Sequence, residues 1–204
     1  MEKELSKAER TRRFILETTA PIFNKKGYAG TSLSDLTEAT GLTKGSIYGN
    51  FANKEEVAAA AFDYNSGMIR KQIQDRVQKA ITYYDKLLVY AQVYHSFTRT
   101  ATFPAGGCPI LNTAVDADDT NPLLKEKAAH AVLRWKKSIE NLIQSGIEAG
   151  EFRADVDING TALSMIALIE GGIMIAKVTN TPANLDAVLK TVDALVTALK
   201  PVQQ

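Results

Sequence analysis

Signals for the start and the end of helices recur along the whole of this 204-residue sequence. Pairs such as Ser6 with Glu9 predict helix starts, because each side chain can satisfy the free backbone N–H of the other residue. Pro122 and Pro182 each follow a polar residue and suit the first position of a helix, whereas glycines suit the residue just past its end. Alternation of apolar and polar residues never persists for more than a few positions. We therefore predict an all-α fold.

These boundaries divide the chain into about nine helices, enough to bury a core in one large or two small domains. The long helix that begins near Asn53 crosses the boundary that we predict between an N-terminal domain, residues 1–54, and a C-terminal helical bundle, residues 55–204. The predicted helices cover approximately residues 7–26, 33–40, 44–50, 53–79, 84–101, 109–117, 122–149, 158–178 and 182–199.

The composition narrows the class of protein. Cys108 is the one cysteine, which excludes an intramolecular disulfide and fits a reducing cytoplasm. The sequence has no run of about 18 apolar residues and no apolar signal segment near its start, so we predict a cytoplasmic protein without a membrane partner. No nucleophile–base pair stands out, and Asp116, Asp118 and Asp119 lack a recognisable ligand spacing. We therefore predict that the protein is not an enzyme and uses no cofactor or metal.

The segment GLTKGSIYGNFANKEE, residues 41–56, contains a short helix with an unusual composition. Gly45 and Gly49 each cost about 1 kcal/mol relative to alanine inside a helix, and Ile47 and Phe51 leave only a narrow apolar stripe. A second short helix precedes it, and two such helices joined at a glycine predict a helix-turn-helix. In that motif the second helix enters the major groove of DNA, which explains the glycines, because they let the backbone approach closely.

The remaining side chains of this segment suit contact with DNA. Lysine supplies positive charge, hydroxyl and amide groups can bond phosphates or base edges, and a tyrosine hydroxyl can reach a phosphate. Arginines at 10, 12 and 13 could also reach phosphates, although a solvated helix face is an equal alternative. The predicted DNA-binding residues of this segment are Thr43, Lys44, Gly45, Ser46, Tyr48, Gly49, Asn50 and Lys54.

The run from residue 15 to residue 57 carries further landmarks. A Gly27-Tyr28 pair ends the first helix, Thr31-Ser32 begins the second, and the recognition segment reads TKGSIY before Phe51 and Lys54. This arrangement resembles the TetR (tetracycline-repressor-like) family of transcriptional regulators, and the resemblance adds Thr31 and Ser32 to the DNA-binding residues. The family usually has an aromatic residue and a histidine where this chain has Gly49 and Asn50, so we expect a different operator and different contacts.

The resemblance implies a mode of action. The expected protein is a homodimer that binds a pseudo-palindromic operator on double-stranded DNA, most often as a repressor, and that a small-molecule effector releases. Recognition helices in the simplest such dimers lie about 34–36 Å apart. The alternative is a helical ligand-binding or thiol-sensing module whose operator binding is altered or lost.

The last two helices are candidates for the dimer interface. The helix at 158–178 is apolar nearly all round and must be covered on more than one face, and Gly171-Gly172 would let two helices approach closely. The helix at 182–199 has a single apolar stripe. An intramolecular core is the alternative for both. The predicted interface residues are Met165, Leu168, Ile169, Gly172, Ile173, Leu189, Val192 and Val196.

Large side chains with polar tips are candidates to line an effector pocket. The same residues recur at helical spacing and would equally serve a bundle core. The cysteine near a helix start could be a reactive thiol or a small buried hydrophobe. The candidates are Phe62, Tyr90, Tyr94, His95, Cys108 and Trp135.

Overall fold

The computed structural model describes residues 5–96 and 104–201, and within these ranges the chain forms nine α-helices. Every predicted helix is present and begins within one residue of its predicted start, which confirms the all-α prediction. The predicted end of the fifth helix, at residue 101, lies outside the described residues. The helices are α1 (Lys7–Lys26), α2 (Leu33–Thr40), α3 (Lys44–Tyr48), α4 (Lys54–Val77), α5 (Tyr83–His95), α6 (Pro109–Ala117), α7 (Pro122–Glu148), α8 (Ile158–Val178) and α9 (Pro182–Thr197).

The side-chain caps of the helices explain why the helix boundaries could be predicted from sequence. At α1 the backbone N–H of Ser6 donates to Oε2 of Glu9 at 2.7 Å, and the N–H of Glu9 donates to Oγ of Ser6 at 3.2 Å. Asn53 and Glu56, at the start of α4, form only one of the two hydrogen bonds of such a capping pair. Asn53 Oδ1 accepts from the N–H of Glu56 at 2.9 Å, but the Glu56 carboxylate accepts from the N–H of Ala52 instead, at 2.6 Å.

The chain divides into two compact units, each described here by itself. Unit 1 comprises Met1–Met68 with Pro104–Ala129, and unit 2 comprises Ile69–Phe103 with His130–Gln204. Helix α6 therefore belongs to the same unit as the helix-turn-helix. The predicted boundary after residue 54 concerns which residues bind DNA and which bind effector, and it stays a prediction.

Helices α1, α2 and α3 share the core of unit 1. Ile47 of α3 is fully buried and Phe51, just beyond it, is 2% exposed. The narrow apolar stripe of the recognition helix therefore packs against its own unit, and the opposite side faces outward. Other members of this core are Ile15, Ala20, Phe23, Leu36, Val57, Ala58, Ala59, Ala61, Ala117 and Leu124.

Hydrogen bonds join α6 to the end of α1. Asn112 Nδ2 donates to the backbone oxygens of Asn24 and Gly106, each at 3.0 Å, and Asp116 Oδ2 accepts from the N–H of Tyr28 at 2.7 Å. Gly106 has a φ of 110°, and a Cβ there would lie 2.7 Å from the Asn24 oxygen, so this close approach requires glycine.

In unit 2 helix α9 packs along α8 and contacts α5. The close helix approach predicted at the glycine pair occurs inside the chain, at Gly172. A Cβ on Gly172 would lie 3.0 Å from Cδ1 of Leu185 and 3.2 Å from Cβ of Val188. Next to it, a Cβ on Gly171 would meet nothing within 4 Å.

Helix α8 is the one helix within the described ranges that is long and apolar enough to cross a membrane, with a mean hydropathy of 1.6. Polar residues interrupt the apolar run of this helix, so the sequence pattern predicted no membrane span here. A single helix of this kind is weak evidence for a membrane span, because the core helix of a soluble protein meets the same criteria. Eight of its residues are buried within unit 2, as in a core helix.

Candidate nucleic-acid interface

The turn between α2 and α3 is built from local signals. Gly41 caps the end of helix α2 with a φ of 66°, and it donates its N–H to the oxygen of Thr37 at 2.9 Å. Thr43 then caps α3, because its Oγ1 accepts from the N–H of Ser46 at 3.2 Å. With Ile47 buried, this cap sets which side of α3 faces outward.

The outward side of α3 combines one ammonium group, hydroxyls and bare backbone. Thr43, Lys44, Gly45 and Gly49 are exposed. A Cβ on Gly45 would meet only Oγ1 of Thr43, at 4.0 Å, so nothing inside the chain requires glycine there. Glycine destabilises a helix, and at this open position it leaves the α3 backbone accessible to close approach by another molecule.

Thr31 and Lys54, which are among the ten predicted DNA-binding residues, bond to backbone oxygens inside the chain, and their contact with DNA stays a prediction. Thr31 is 1% exposed and donates its hydroxyl to the oxygen of Gly27 at 2.6 Å. Lys54 Nζ donates to the oxygens of Tyr28 and Thr31, each at 2.9 Å, and lies 4.2 Å from the centre of the Tyr28 ring. Both residues hold the connection between α1 and α2, which positions the helix-turn-helix.

Arg12 performs a role that the sequence analysis did not identify. Its guanidinium donates to the backbone oxygen of Asn50, pairs through Nη2 with Oε1 of Glu56 at 2.8 Å, and lies 3.9 Å above the Phe51 ring. Helix α3 has five residues, so its last carbonyls need partners from elsewhere. The Asn50 amide turns back to the oxygen of Ser46 at 2.9 Å. Arg12 therefore fixes the end of the recognition helix.

Hydrogen bonds lower the pKa of the Glu56 carboxyl. The largest cause is the bond from the N–H of Ala52, and the next is the bond from Arg12.

The other arginines of α1 bond nearby groups, since Arg10 donates to the oxygen of Leu5 at 2.7 Å and Arg13 pairs with Glu17 at 2.7 Å. Arg12 is thus the arginine of this group that ties α1 to the recognition segment.

The start of α2 is held by Asp35. Its Oδ1 lies 2.5 Å from Nζ of Lys26, and its Oδ2 accepts from the backbone N–H of Ser32 at 2.7 Å. The hydrogen bond from Lys26 is the largest cause that lowers the pKa of Asp35 to about 2, followed by the bonds from Ser32.

We expect this carboxylate to make folding sensitive to acid. A group whose pKa is depressed in the folded state contributes stability above its unfolded pKa, and loses it as the pH falls through the folded value of about 2. The free energy of unfolding of Asp35→Asn should therefore be lower than wild type near neutral pH and approach it as the pH falls from about 4 towards 2. Urea titrations followed by circular dichroism measure this difference. Glu38→Gln, an exposed carboxylate of α2, is the control, and a deficit in Asp35→Asn that is independent of pH would contradict the assignment.

Two family models match this chain, one over the helix-turn-helix and one over the C-terminal helices. The family model for bacterial regulatory proteins of the tetR family matches residues 15–61, and the model for the tetracyclin-repressor-like C-terminal domain matches residues 83–192. The chain belongs to the TetR family.

Individual regulators are similar to this chain along most of their lengths. A TetR-family regulator from Cytophaga hutchinsonii is 52% identical, and its crystal structure superposes with a TM-score of 0.92 over 99% of this chain and 100% of that one. The transcriptional repressor DhaR from Mycobacterium sp. is 25% identical over 89% of each chain. A cysteine mutant of the TetR-family regulator CifR, solved with a 26-base-pair double-stranded operator DNA, is 18% identical and shares the fold, with a TM-score of 0.80 over 98% of this chain and 100% of that one.

Three of the predicted effector-binding residues come together in unit 2. The ring of Trp135 on α7 lies 5.1 Å from that of Tyr94 and 6.4 Å from that of Tyr90, with interplanar angles of 13° and 14°. His95 is the last residue of α5, the helix that carries Tyr90 and Tyr94. Its Nε2 is 3.1 Å from Oδ1 of Asp186.

The other two candidates lie in unit 1. Phe62 on α4 is 4% exposed, and Cys108 is fully buried at the residue before α6. Complete burial makes the thiol inaccessible to solvent, which is typical of a cysteine that packs as a small hydrophobe. The six candidates therefore do not form one site within either unit.

Most of the predicted dimer-interface residues are buried within the single chain. Seven of the eight are buried inside the single chain, namely Met165, Ile169, Gly172, Ile173, Leu189, Val192 and Val196. Leu168 alone is partly exposed. A different set of α8 residues is apolar and exposed, and it comprises Leu163, Ala167, Met174, Ile175 and Val178.

Proposed function

We propose that this TetR-family transcriptional regulator is a repressor that binds a pseudo-palindromic operator as a homodimer and is released by a small-molecule effector. The observation that carries the DNA contact is the outward side of α3. It combines the Lys44 ammonium with hydroxyls of Thr43 and Ser46 and with open backbone at Gly45. A helix of this composition suits insertion into the major groove. The family member CifR was solved with operator DNA, which supports the same docking here.

The exposed apolar residues of α8 support the homodimer. Together with the open position Gly171 they form one stripe along the helix, because each lies three or four residues from another member of the stripe. Val178 is 77% exposed and Met174 is 49% exposed in the single chain. Soluble monomers seldom leave such a continuous apolar surface in water. A second copy related by a two-fold axis would cover the stripe with the same helix.

The effector acts through a difference in affinity. A small molecule that bound the DNA-competent and DNA-incompetent states equally would shift nothing, so the effector must bind the incompetent state more tightly. Unit 2 offers the aromatic cluster of Trp135, Tyr90 and Tyr94 for this role. The burial of Cys108 argues against the alternative of a thiol-sensing module. We place the protein in the cytoplasm, where its DNA target lies.

We expect binding to the DNA upstream of its own gene to be tight, resistant to random competitor DNA and steeply dependent on salt. Each phosphate that the protein neutralises releases counterions, so a dimer with six or more phosphate contacts should lose about 10³-fold or more in affinity between about 50 and 200 mM salt. Electrophoretic mobility shift and fluorescence anisotropy titrations measure this loss.

Lys44→Ala is the companion variant. Because each copy would lose one phosphate contact, the slope of log affinity against log salt should fall by about 2 for the dimer. Glu38→Gln on α2 provides an exposed charge change as a control. Weak binding that is equal on upstream and random DNA would favour the alternative, a ligand-binding module that has lost its operator.

A further inference from the structure

The indole nitrogen of Trp135 is a buried donor that the described chain leaves unused. Trp135 is 7% exposed, and its Nε1 has no hydrogen-bond partner among the residues that the structure describes. Buried indole N–H groups usually find an acceptor, because a donor that has left water without a new partner destabilises the protein. The acceptor is therefore expected to come from a bound molecule.

The surroundings of this donor are flat and aromatic. Tyr90 and Tyr94 lie one turn apart on α5, and both rings are within 14° of parallel to the indole. The two centroid distances, 6.4 and 5.1 Å, fall in the range of offset stacking, which a further planar ring can extend. A stripe of core residues would explain the rings alone. It does not explain a buried N–H without an acceptor.

Burial also bears on the charge of the molecule that binds. Desolvation raises the pKa of Tyr90 to about 12, even though a hydrogen bond with Ser138 acts in the opposite direction. The same desolvation would penalise an anionic ligand. A carbonyl oxygen or an aromatic ring nitrogen can accept the indole N–H without bringing a charge.

We propose that Trp135, Tyr90 and Tyr94 bind a planar aromatic molecule that carries a neutral hydrogen-bond acceptor at its edge, with Nε1 of Trp135 as the donor. This inference rests on the proposed function only for the role of that molecule as effector. The binding itself does not depend on DNA.

Quinoline and naphthalene test the proposal, because they share one bicyclic shape and only quinoline has an acceptor in the ring plane. Isothermal titration calorimetry on the full chain should show quinoline binding about 10-fold more tightly than naphthalene. Trp135 is the one tryptophan of the chain, so its fluorescence reports whether binding occurs at this site. Equal affinities, or no binding of either compound, would overturn the proposal. Equal affinities are also what a permanently bound water would produce.

Variants separate the donor from the stacking surface. Trp135→Phe should bring the affinity for quinoline down to that for naphthalene, while Tyr94→Leu should weaken both. Tyr84→Phe is the matched control, because Tyr84 is an aromatic residue of α5 whose hydroxyl donates to Asp193 at 3.0 Å. Comparison of quinoline with naphthalene on the wild type needs no variant to fold. Operator binding measured on the same preparation tests the proposed function independently, so failure of one claim leaves the other standing.

Discussion

Replacement of Gly45 by leucine is expected to abolish specific DNA binding while the fold becomes no less stable. Inside the chain a Cβ at this position has open space, with Oγ1 of Thr43 at 4.0 Å as its nearest neighbour. Leucine is also the better helix former, by up to about 0.8 kcal/mol in a helix interior. In the complex the added side chain would hold the α3 backbone away from the groove. The loss of base contacts in both half-sites should weaken operator binding by about 100-fold or more.

Gly67→Leu provides the matched control for this experiment. Gly67 lies within α4, and a Cβ there would also meet nothing within 4 Å. The two variants thus make the same chemical change at open helical positions, and both should raise or preserve the melting temperature. Only Gly45→Leu should lose the operator, and Gly45→Ala should show a smaller loss. If Gly45→Leu binds like the wild type, α3 does not approach DNA as proposed.

The helices and the recognition segment could be predicted from sequence because their signals are local. Helix boundaries depend on residues three or four apart, as in the capping box of Ser6 and Glu9, so short segments carry the whole signal. The recognition helix was evident because Gly45 lowers helix stability without a local reason, whereas Gly49 lies at the C-cap just after Tyr48, where a Cβ would lie 3.2 Å from the Gly45 oxygen. The structure then supplies the open space around Gly45 that this interpretation requires.

Contacts between distant parts of the chain could not be predicted in the same way. Arg12 meets Asn50 and Glu56, which are 38 and 44 residues away, and no periodicity links such positions. Lys54 and Thr31 carry the polar groups expected of DNA contacts, yet hydrogen bonds to backbone oxygens engage both. Residue type alone does not separate a side chain that bonds phosphate from one that bonds a carbonyl.

The residues of the proposed dimer interface could not be predicted from sequence either. An all-round apolar helix such as α8 must be covered on several faces, but its sequence does not say which face meets its own chain and which meets a second copy. Within the single chain the two adjacent glycines differ in their surroundings. Gly172 contacts Leu185 and Val188 of α9, whereas Gly171 is open. The largest expected effect on assembly therefore comes from Gly171.

Gly171→Arg is expected to give a folded monomer that binds the operator poorly. A Cβ at this position would meet nothing within 4 Å in the single chain, and arginine is a better helix former than glycine. In a two-fold dimer through α8 the two guanidinium groups would face each other in an apolar interface, where unpaired charge is costly. Without the dimer, the second half-site no longer benefits from high effective concentration, so operator affinity should fall by about 10²–10⁴-fold. Analytical ultracentrifugation and anisotropy titrations measure the two effects.

Two further variants make the result specific to the exposed stripe of α8. Leu133→Arg places the same charge at an exposed apolar residue of α7, 58% exposed, and should leave both the dimer and operator binding intact. Gly172→Ala should instead lower the melting temperature, because its Cβ would press against the Leu185 side chain at 3.0 Å. A Gly171→Arg protein that stays dimeric at micromolar concentration would move the interface off this stripe. The seven buried positions predicted on α8 and α9 would remain core residues in either case, since they already have partners within one chain.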